Sequence, residues 1–134
     1  MNTENTNEEE VKKEDQAGND VVEAVKYATI DDLSKIKVAI GTILSVDDVE
    51  GSDKLLKLSV DFGEGSPRQI LSGIKKYFTD PQVLINTQTT FVVNLAPRKM
   101  LGLDSNGMLY AGGADGELVL LRPEHVVAPG TPMH

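Results

Sequence analysis

The pattern of hydrophobic and polar positions changes twice along the 134-residue chain. Residues 1–20 hold few apolar side chains, which predicts a disordered acidic tail because such a stretch cannot bury enough surface to offset its chain entropy. Residues 21–32 carry a short, irregular apolar stripe, which predicts a helical turn or two or a linker. From residue 33 onward, apolar and polar side chains tend to alternate, as is typical of β-strands. One folded β domain is therefore expected over residues 33–134.

The alternating segments predict an all-β fold, in the form of a small barrel. The expected strands cover residues 36–46, 56–62, 68–71, 89–95, 108–111 and 117–121. Gly41 suits a bend in the long first strand. Residues 73–79 predict a short helical or irregular link after the third strand, and residues 97–107 a loop or a short extended stretch. Regular short strands with turn signals between them favour a barrel.

Charge is distributed unevenly between the tail and the body. The formal net charge is −8, and residues 1–32 hold ten acidic and three basic side chains. Residues 33–134 hold eleven acidic and ten basic side chains, so the body is nearly neutral. A nucleic-acid binder usually shows a basic surface, and this balance neither predicts nor excludes one.

The inventory of reactive side chains argues against catalysis. The chain has no cysteine, and its two histidines are His125 and His134, so neither a histidine-based triad nor a zinc site can be assembled. No phosphate-binding or dinucleotide-binding glycine motif is present, and the acidic turn at 47–53 lacks EF-hand spacing. We therefore predict no enzyme activity, no metal and no cofactor. Without an apolar run of about 18 residues or a secretory signal, we expect a cytoplasmic protein with no membrane partner.

Three segments in fixed order resemble a known family. They are SDKLL at 52–56, RQILSGI at 68–74 and NLAPRKMLGLDSNGML at 94–109. Together they resemble the tRNA-binding domain found at the C-terminus of many methionyl-tRNA synthetases, in free-standing tRNA-binding proteins and in CsaA-type chaperones. The likeness covers about residues 30–133. It departs at Ala39, where the family usually has arginine, and at Gly51, where it often has proline.

The resemblance implies an OB-fold barrel of five strands, with a short helix after the third strand. It also implies a homodimer that binds tRNA without catalysis. The chain would be a detached β-type subunit beside a catalytic methionyl-tRNA synthetase subunit, or a free-standing tRNA-binding protein. Two alternatives stay open: a CsaA-like dimeric chaperone for extended peptides, and a scaffold for a synthetase complex that docks through residues 1–32. The apolar side chains between 118 and 127 also favour a dimer.

In the implied function, the cations neutralise phosphates while polar side chains meet bases or ribose hydroxyls. The candidate nucleic-acid-binding residues are Lys54, Arg68, Ser72, Lys75, Lys76, Asn94, Arg98, Lys99 and Ser105. The alternative is that the cations are ordinary solvated charges, that Asn94 bonds backbone and that Ser72 belongs to a turn. Tyr77 and Phe78 are the aromatic candidates for stacking on bases; we expect Phe78 to pack on the barrel and Tyr77 to be partly exposed.

Overall fold

The structure, a computed structural model, describes residues 26–134; the predicted disordered tail and residues 21–25 lie outside this range. Helix α1 covers Ile30–Ser34, and Thr29 directly precedes it. The Asp32 N–H donates to Thr29 Oγ1 at 3.1 Å, and the Thr29 N–H donates to Asp32 Oδ2 at 3.0 Å. This reciprocal pair is a capping box with aspartate in the place of the usual glutamate. A compact unit of the chain covers Ser34–His134.

The unit 34–134 is built from antiparallel strands. They are β1 (Val38–Asp48), β2 (Leu56–Asp61), β3 (Arg68–Ser72), β4 (Gln88–Val92), β5 (Arg98–Met100), β6 (Leu103–Ser105), β7 (Met108–Leu109) and β8 (Pro132–Met133). The main sheet has the order β3-β2-β1-β4-β7, β8 pairs with β1, and β5 and β6 form a separate hairpin. The five-stranded sheet curls into a nearly closed barrel, which confirms the predicted all-β, OB-like fold. The link after β3 contains two 3₁₀ helices, Lys75–Tyr77 and Pro81–Leu84.

The barrel interior follows the period of two most clearly along β2. Along β2, Leu56, Leu58 and Val60 are fully buried and alternate with half-buried polar residues. A β-carbon at Gly41 would collide with the side chains of Val60 and Phe62. Glycine is therefore required there for close packing, and the irregularity in β1 lies further on, between Ile43 and Ser45.

Strand β4 is buried on both faces, and its polar side chains hold the C-terminal part of the chain. The Gln88 side chain donates to the Val127 carbonyl at 2.7 Å and accepts from the Val127 N–H at 3.0 Å. The Thr89 hydroxyl donates to the Leu121 carbonyl at 2.8 Å. The Thr90 hydroxyl donates to the Tyr110 carbonyl at 2.7 Å. Side chains on both faces of β4 thus bind three later segments of the chain.

The predicted strand at 117–121 was wrong, and the one at 108–111 was too long. Among the described residues, only Val119 in the former range takes part in β-pairing, through a single isolated bridge to Gly112, which lies outside the named strands. Both edges of β4 are taken, by β1 and β7. The chain after β7 therefore cannot pair with an edge of β4, and the backbone of Leu121 and Val127 bonds to side chains of β4 instead. Strand β8 was missed because two residues carry no readable alternation.

Candidate nucleic-acid interface

The outward side chains of β1, β2 and β3 form a polar surface, which we call the outer face. It consists of Ser45, Asp47, Lys57, Ser59 and Gln69. In the sheet, Ser45 is opposite Ser59, and Ser59 is opposite Gln69. These side chains line a depression of about 250 Å³. The open sheet face of an OB barrel is a usual surface for single-stranded or looped nucleic acid.

Three lysines gather at one end of the outer face; we call Lys54, Lys75 and Lys76 the lysine cluster. The Lys75 N–H donates to the carbonyl of Lys54 at 3.0 Å, which joins the β1–β2 turn to the chain just beyond Ser72. Lys75 Nζ lies 3.2 Å from Asp48 Oδ1. Lys54 and Lys76 are exposed, and neither forms an ion pair within residues 26–134.

The β5–β6 hairpin places two further cations beside β3. Arg98 is opposite Ser105, whose Oγ accepts a hydrogen bond from the Leu71 N–H at 3.0 Å. Arg98 therefore lies near the end of β3 that leads to the lysine cluster. Its neighbour Lys99 lies 3.1 Å from Asp104 Oδ1 in an exposed pair, which stabilises little because water screens it.

Arg68 is engaged within the chain. Its Nε and Nη2 donate to the Glu64 carboxylate at 2.9 and 2.7 Å, and Nη1 donates to the carbonyls of Val93 at 2.7 Å and Asn106 at 3.2 Å. The guanidinium carbon lies 5.4 Å from the ring centroid of Phe62. The hydrogen bond lowers the pKa of Glu64 and raises that of Arg68. The side chain thus braces the barrel and has little capacity left for a phosphate.

Asn94 and Ser105 also have internal partners. Asn94 Oδ1 accepts from the Lys37 N–H at 2.8 Å, and its Nδ2 donates to the Lys35 carbonyl at 2.7 Å. These bonds fix the start of β1, and they match the alternative in which Asn94 bonds backbone. The Ser105 side chain is buried and bonds both the Leu71 N–H and a nearby carbonyl. Its position holds the hairpin against β3.

The outer face was missing from the candidates chosen by sequence. The alternation along residues 56–62 already placed Lys57 and Ser59 opposite the core side. What the sequence did not show was that Gln69 of β3 lines up beside them. That alignment depends on strand register, which is set by tertiary pairing.

Comparison with known families gives this surface a context. A family model described as "Putative tRNA binding domain" matches residues 38–132, which is more than half of the chain. The chain belongs to this tRNA-binding domain family. All of the outer face, the lysine cluster and the hairpin fall within the matched residues.

Individual relatives agree with the family. The chain is 47% identical over 107 residues to a methionine–tRNA ligase of Methanococcoides burtonii, covering 79% of this chain but only 16% of that enzyme. Among solved structures, a protein related to methionyl-tRNA synthetase from Pyrococcus horikoshii matches with a TM-score of 0.75 and 30% identity, over 82% of this chain and 100% of that one. The chaperone CsaA of Bacillus anthracis matches with a TM-score of 0.71 and 28% identity, over 81% and 100%.

Membrane-spanning helices and metal-binding clusters are both absent from the described residues. None of the helices in residues 26–134 is long and apolar enough to cross a membrane. The same part of the chain holds no group of three or more histidine, aspartate or glutamate side chains placed to bind a metal ion.

Removal of the charge should destabilise the protein at Arg68 in β3 but have little effect on stability at Arg98 in β5. We expect Arg68→Gln to lower the free energy of unfolding by about 2 kcal/mol, because the carbonyls of Val93 and Asn106 lose a charged donor. The exposed Arg98 should tolerate Arg98→Gln within about 0.5 kcal/mol. Urea denaturation followed by circular dichroism measures both. Equal shifts of the two midpoints would contradict the bracing role of Arg68.

Proposed function

We propose that the domain binds tRNA through the outer face, with the lysine cluster and Arg98 on the phosphates. The observation that carries this proposal is membership of the tRNA-binding family over residues 38–132. Lys54, Lys76 and Arg98 are exposed and without ion pairs among the described residues, so they can exchange counterions for phosphates. The contacts of Ser72, Lys75 and Lys99 with tRNA remain predictions.

The outer face suits the sugars and bases that lie between those phosphates. Serine hydroxyls and a glutamine amide can bond ribose 2′-hydroxyls, the group that marks RNA. Gln69 is held in place because its Nε2 donates to the Asp104 carbonyl at 2.9 Å. Arg68, Asn94 and Ser105 would position this surface from behind, since their side chains bond the protein itself.

A catalytic methionyl-tRNA synthetase is the proposed partner of the domain. The chain spans about 16% of the length of its curated relative from Methanococcoides burtonii, which is named as a methionine–tRNA ligase. A non-catalytic tRNA-binding domain that is associated with such an enzyme would raise the effective concentration of tRNA at the enzyme's active site. We expect this assembly in the cytoplasm. Residues 1–32 carry most of the negative charge and would repel tRNA at low salt.

The salt dependence of tRNA binding tests the phosphate contacts. The double variant Lys54→Gln, Lys76→Gln should weaken binding and flatten the plot of log affinity against log salt, by roughly 0.7–0.9 for each phosphate that the variant no longer neutralises. Fluorescence anisotropy with bulk tRNA, titrated from low to physiological salt, measures the slope. The matched control is Lys37→Gln, because Lys37 is exposed and directly precedes β1, whereas the cluster lies beyond the other end of that strand.

Two results would decide against the proposal. Wild-type protein that binds no tRNA even at low salt would remove the function. A double variant with the same slope as Lys37→Gln would show that tRNA contacts some other surface.

A CsaA-like peptide chaperone is the second candidate. An open groove of about 760 Å³ runs between the β2–β3 turn and the hairpin, with Leu95, Pro97 and Leu103 among its lining residues. Extended peptides bind surfaces that combine apolar contacts with polar groups. The same anisotropy assay distinguishes the two candidates. The chaperone is favoured if the protein binds a labelled apolar peptide but does not bind tRNA.

We also propose that the protein forms a homodimer through exposed apolar side chains of the chain that follows β7. Leu118 and Leu120 are partly buried against the core, while Val119 and Leu121 are 42% and 47% exposed. Tyr110 and Val126 are further exposed apolar side chains of this part of the chain, the latter 85% exposed. Exposed apolar side chains mark protein interfaces where they lie together.

Light scattering tests the dimer. The wild type should show twice the 14.5 kDa mass of one chain, and the double variant Val119→Asp, Val126→Asp should show that mass once, because it places charges in an apolar contact. Glu50→Lys, at an exposed turn, is a control for surface charge. A single-chain mass for the wild type at micromolar concentrations would contradict the proposal.

A further inference from the structure

A further concave site lies next to the chain segment that carries Lys75 and Lys76 of the lysine cluster. It is a pocket of about 430 Å³ between the first 3₁₀ helix and the chain segment 116–122. Its volume falls within the range of roughly 300–1,000 Å³ that is usual for small-molecule sites. The lining side chains used below are Tyr77, Phe78, Glu117, Leu118, Leu120 and Arg122.

The floor of the pocket is apolar and fixed. Phe78, Leu118 and Leu120 are partly buried and pack against the barrel core. Tyr77 precedes Phe78 and is 47% exposed, so its ring stays at the rim. Tyr77 is partly exposed, as the sequence predicted, and Phe78 packs on the barrel but is partly rather than fully buried. A half-exposed aromatic ring above an apolar floor offers a flat ligand one face to stack on and a surface to rest against.

The polar groups at the rim differ in how they are held. Glu117 Oε1 accepts a hydrogen bond from the Ala114 N–H at 3.1 Å, which orients the carboxylate and leaves its second oxygen able to accept from an amino group. Arg122 is exposed and has no ion pair within the described part of the chain. Lys76 is exposed and directly precedes Tyr77 in the first 3₁₀ helix, so a second cation is available next to the rim.

This combination matches the chemistry of a nucleotide. A nucleobase is flat, stacks on tyrosine and carries donors that a carboxylate accepts, while its phosphate attracts arginine and lysine. A base inside a helix has both faces covered by its neighbours, so only an unpaired base can be splayed out to reach such a pocket. An apolar peptide would use the floor but would leave the two cations without a partner.

We propose that the pocket binds one unpaired nucleotide of RNA, with the base stacked on Tyr77 and the phosphate near Arg122 and Lys76. The inference rests on the proposed tRNA function and adds a subsite to it. It implies that the domain contacts a single-stranded part of its RNA, in addition to the phosphates that meet the lysine cluster.

The test compares variants of Tyr77 in full-length protein, with bulk tRNA and a short single-stranded oligoadenylate as probes. Tyr77→Leu should weaken binding of both probes by roughly 5- to 150-fold, the loss expected for one stacked base, and should leave the salt slope unchanged because the ring is neutral. Tyr77→Phe should bind like the wild type. Tyr27→Leu is the matched control, since Tyr27 is exposed and precedes the barrel unit.

Arg122→Gln provides a second reading at an exposed position, in case Tyr77→Leu lowers the melting temperature. It should weaken binding and flatten the salt slope by roughly 0.7. If the wild type binds tRNA with a steep salt slope but both Tyr77→Leu and Arg122→Gln match it, the pocket is overturned and the tRNA function stands. If the wild type binds no tRNA at all, both fall.

Discussion

The barrel closes between β3 and the chain that joins β6 to β7, and side chains make most of the bonds there. No ladder pairs β3 with β7 among the described strands. Instead, the Asn106 N–H donates to the Gln69 carbonyl at 2.8 Å, and the side chains of Arg68, Gln69 and Ser105 supply further bonds to backbone. Buried backbone groups must find partners, so these side chains replace a missing stretch of ladder.

The placement of the interface depends on this closure. The bond between Ser105 and the Leu71 N–H holds the hairpin against β3, and the hairpin carries Arg98. The bond from Gln69 to Asp104 orients one of the outer-face side chains. Cations and polar groups are thereby gathered on one side of a domain whose overall charge is close to zero. Binding of an anionic ligand requires only such a local concentration of positive charge, since screening limits the reach of distant charges to about 10 Å.

The sequence predicted burial well along β2, whose buried positions match the period of two. In β1 the strand was predicted, but three consecutive residues, Ala39, Ile40 and Gly41, are buried, so its burial does not follow the alternation. The prediction failed after β7, where Glu117–Leu121 alternate as a strand would but find both edges of β4 occupied. For the site, residue type alone could not separate Arg68 from Arg98. Only the tertiary structure shows that Glu64 and two carbonyls engage Arg68 whereas Arg98 is exposed. The sequence also held the signal for Lys57 and Ser59, but their neighbour Gln69 required the strand register.

The most direct test of the account is to map the tRNA contact on an isotope-labelled chain by nuclear magnetic resonance. Backbone amide signals would be followed while bulk tRNA is added. The account predicts that the changes concentrate on β1–β3 around Lys57, Ser59 and Gln69, on the lysine cluster and on Arg98, and that Val126 is little affected. Changes confined to the chain after β7, with the outer face unperturbed, would contradict it.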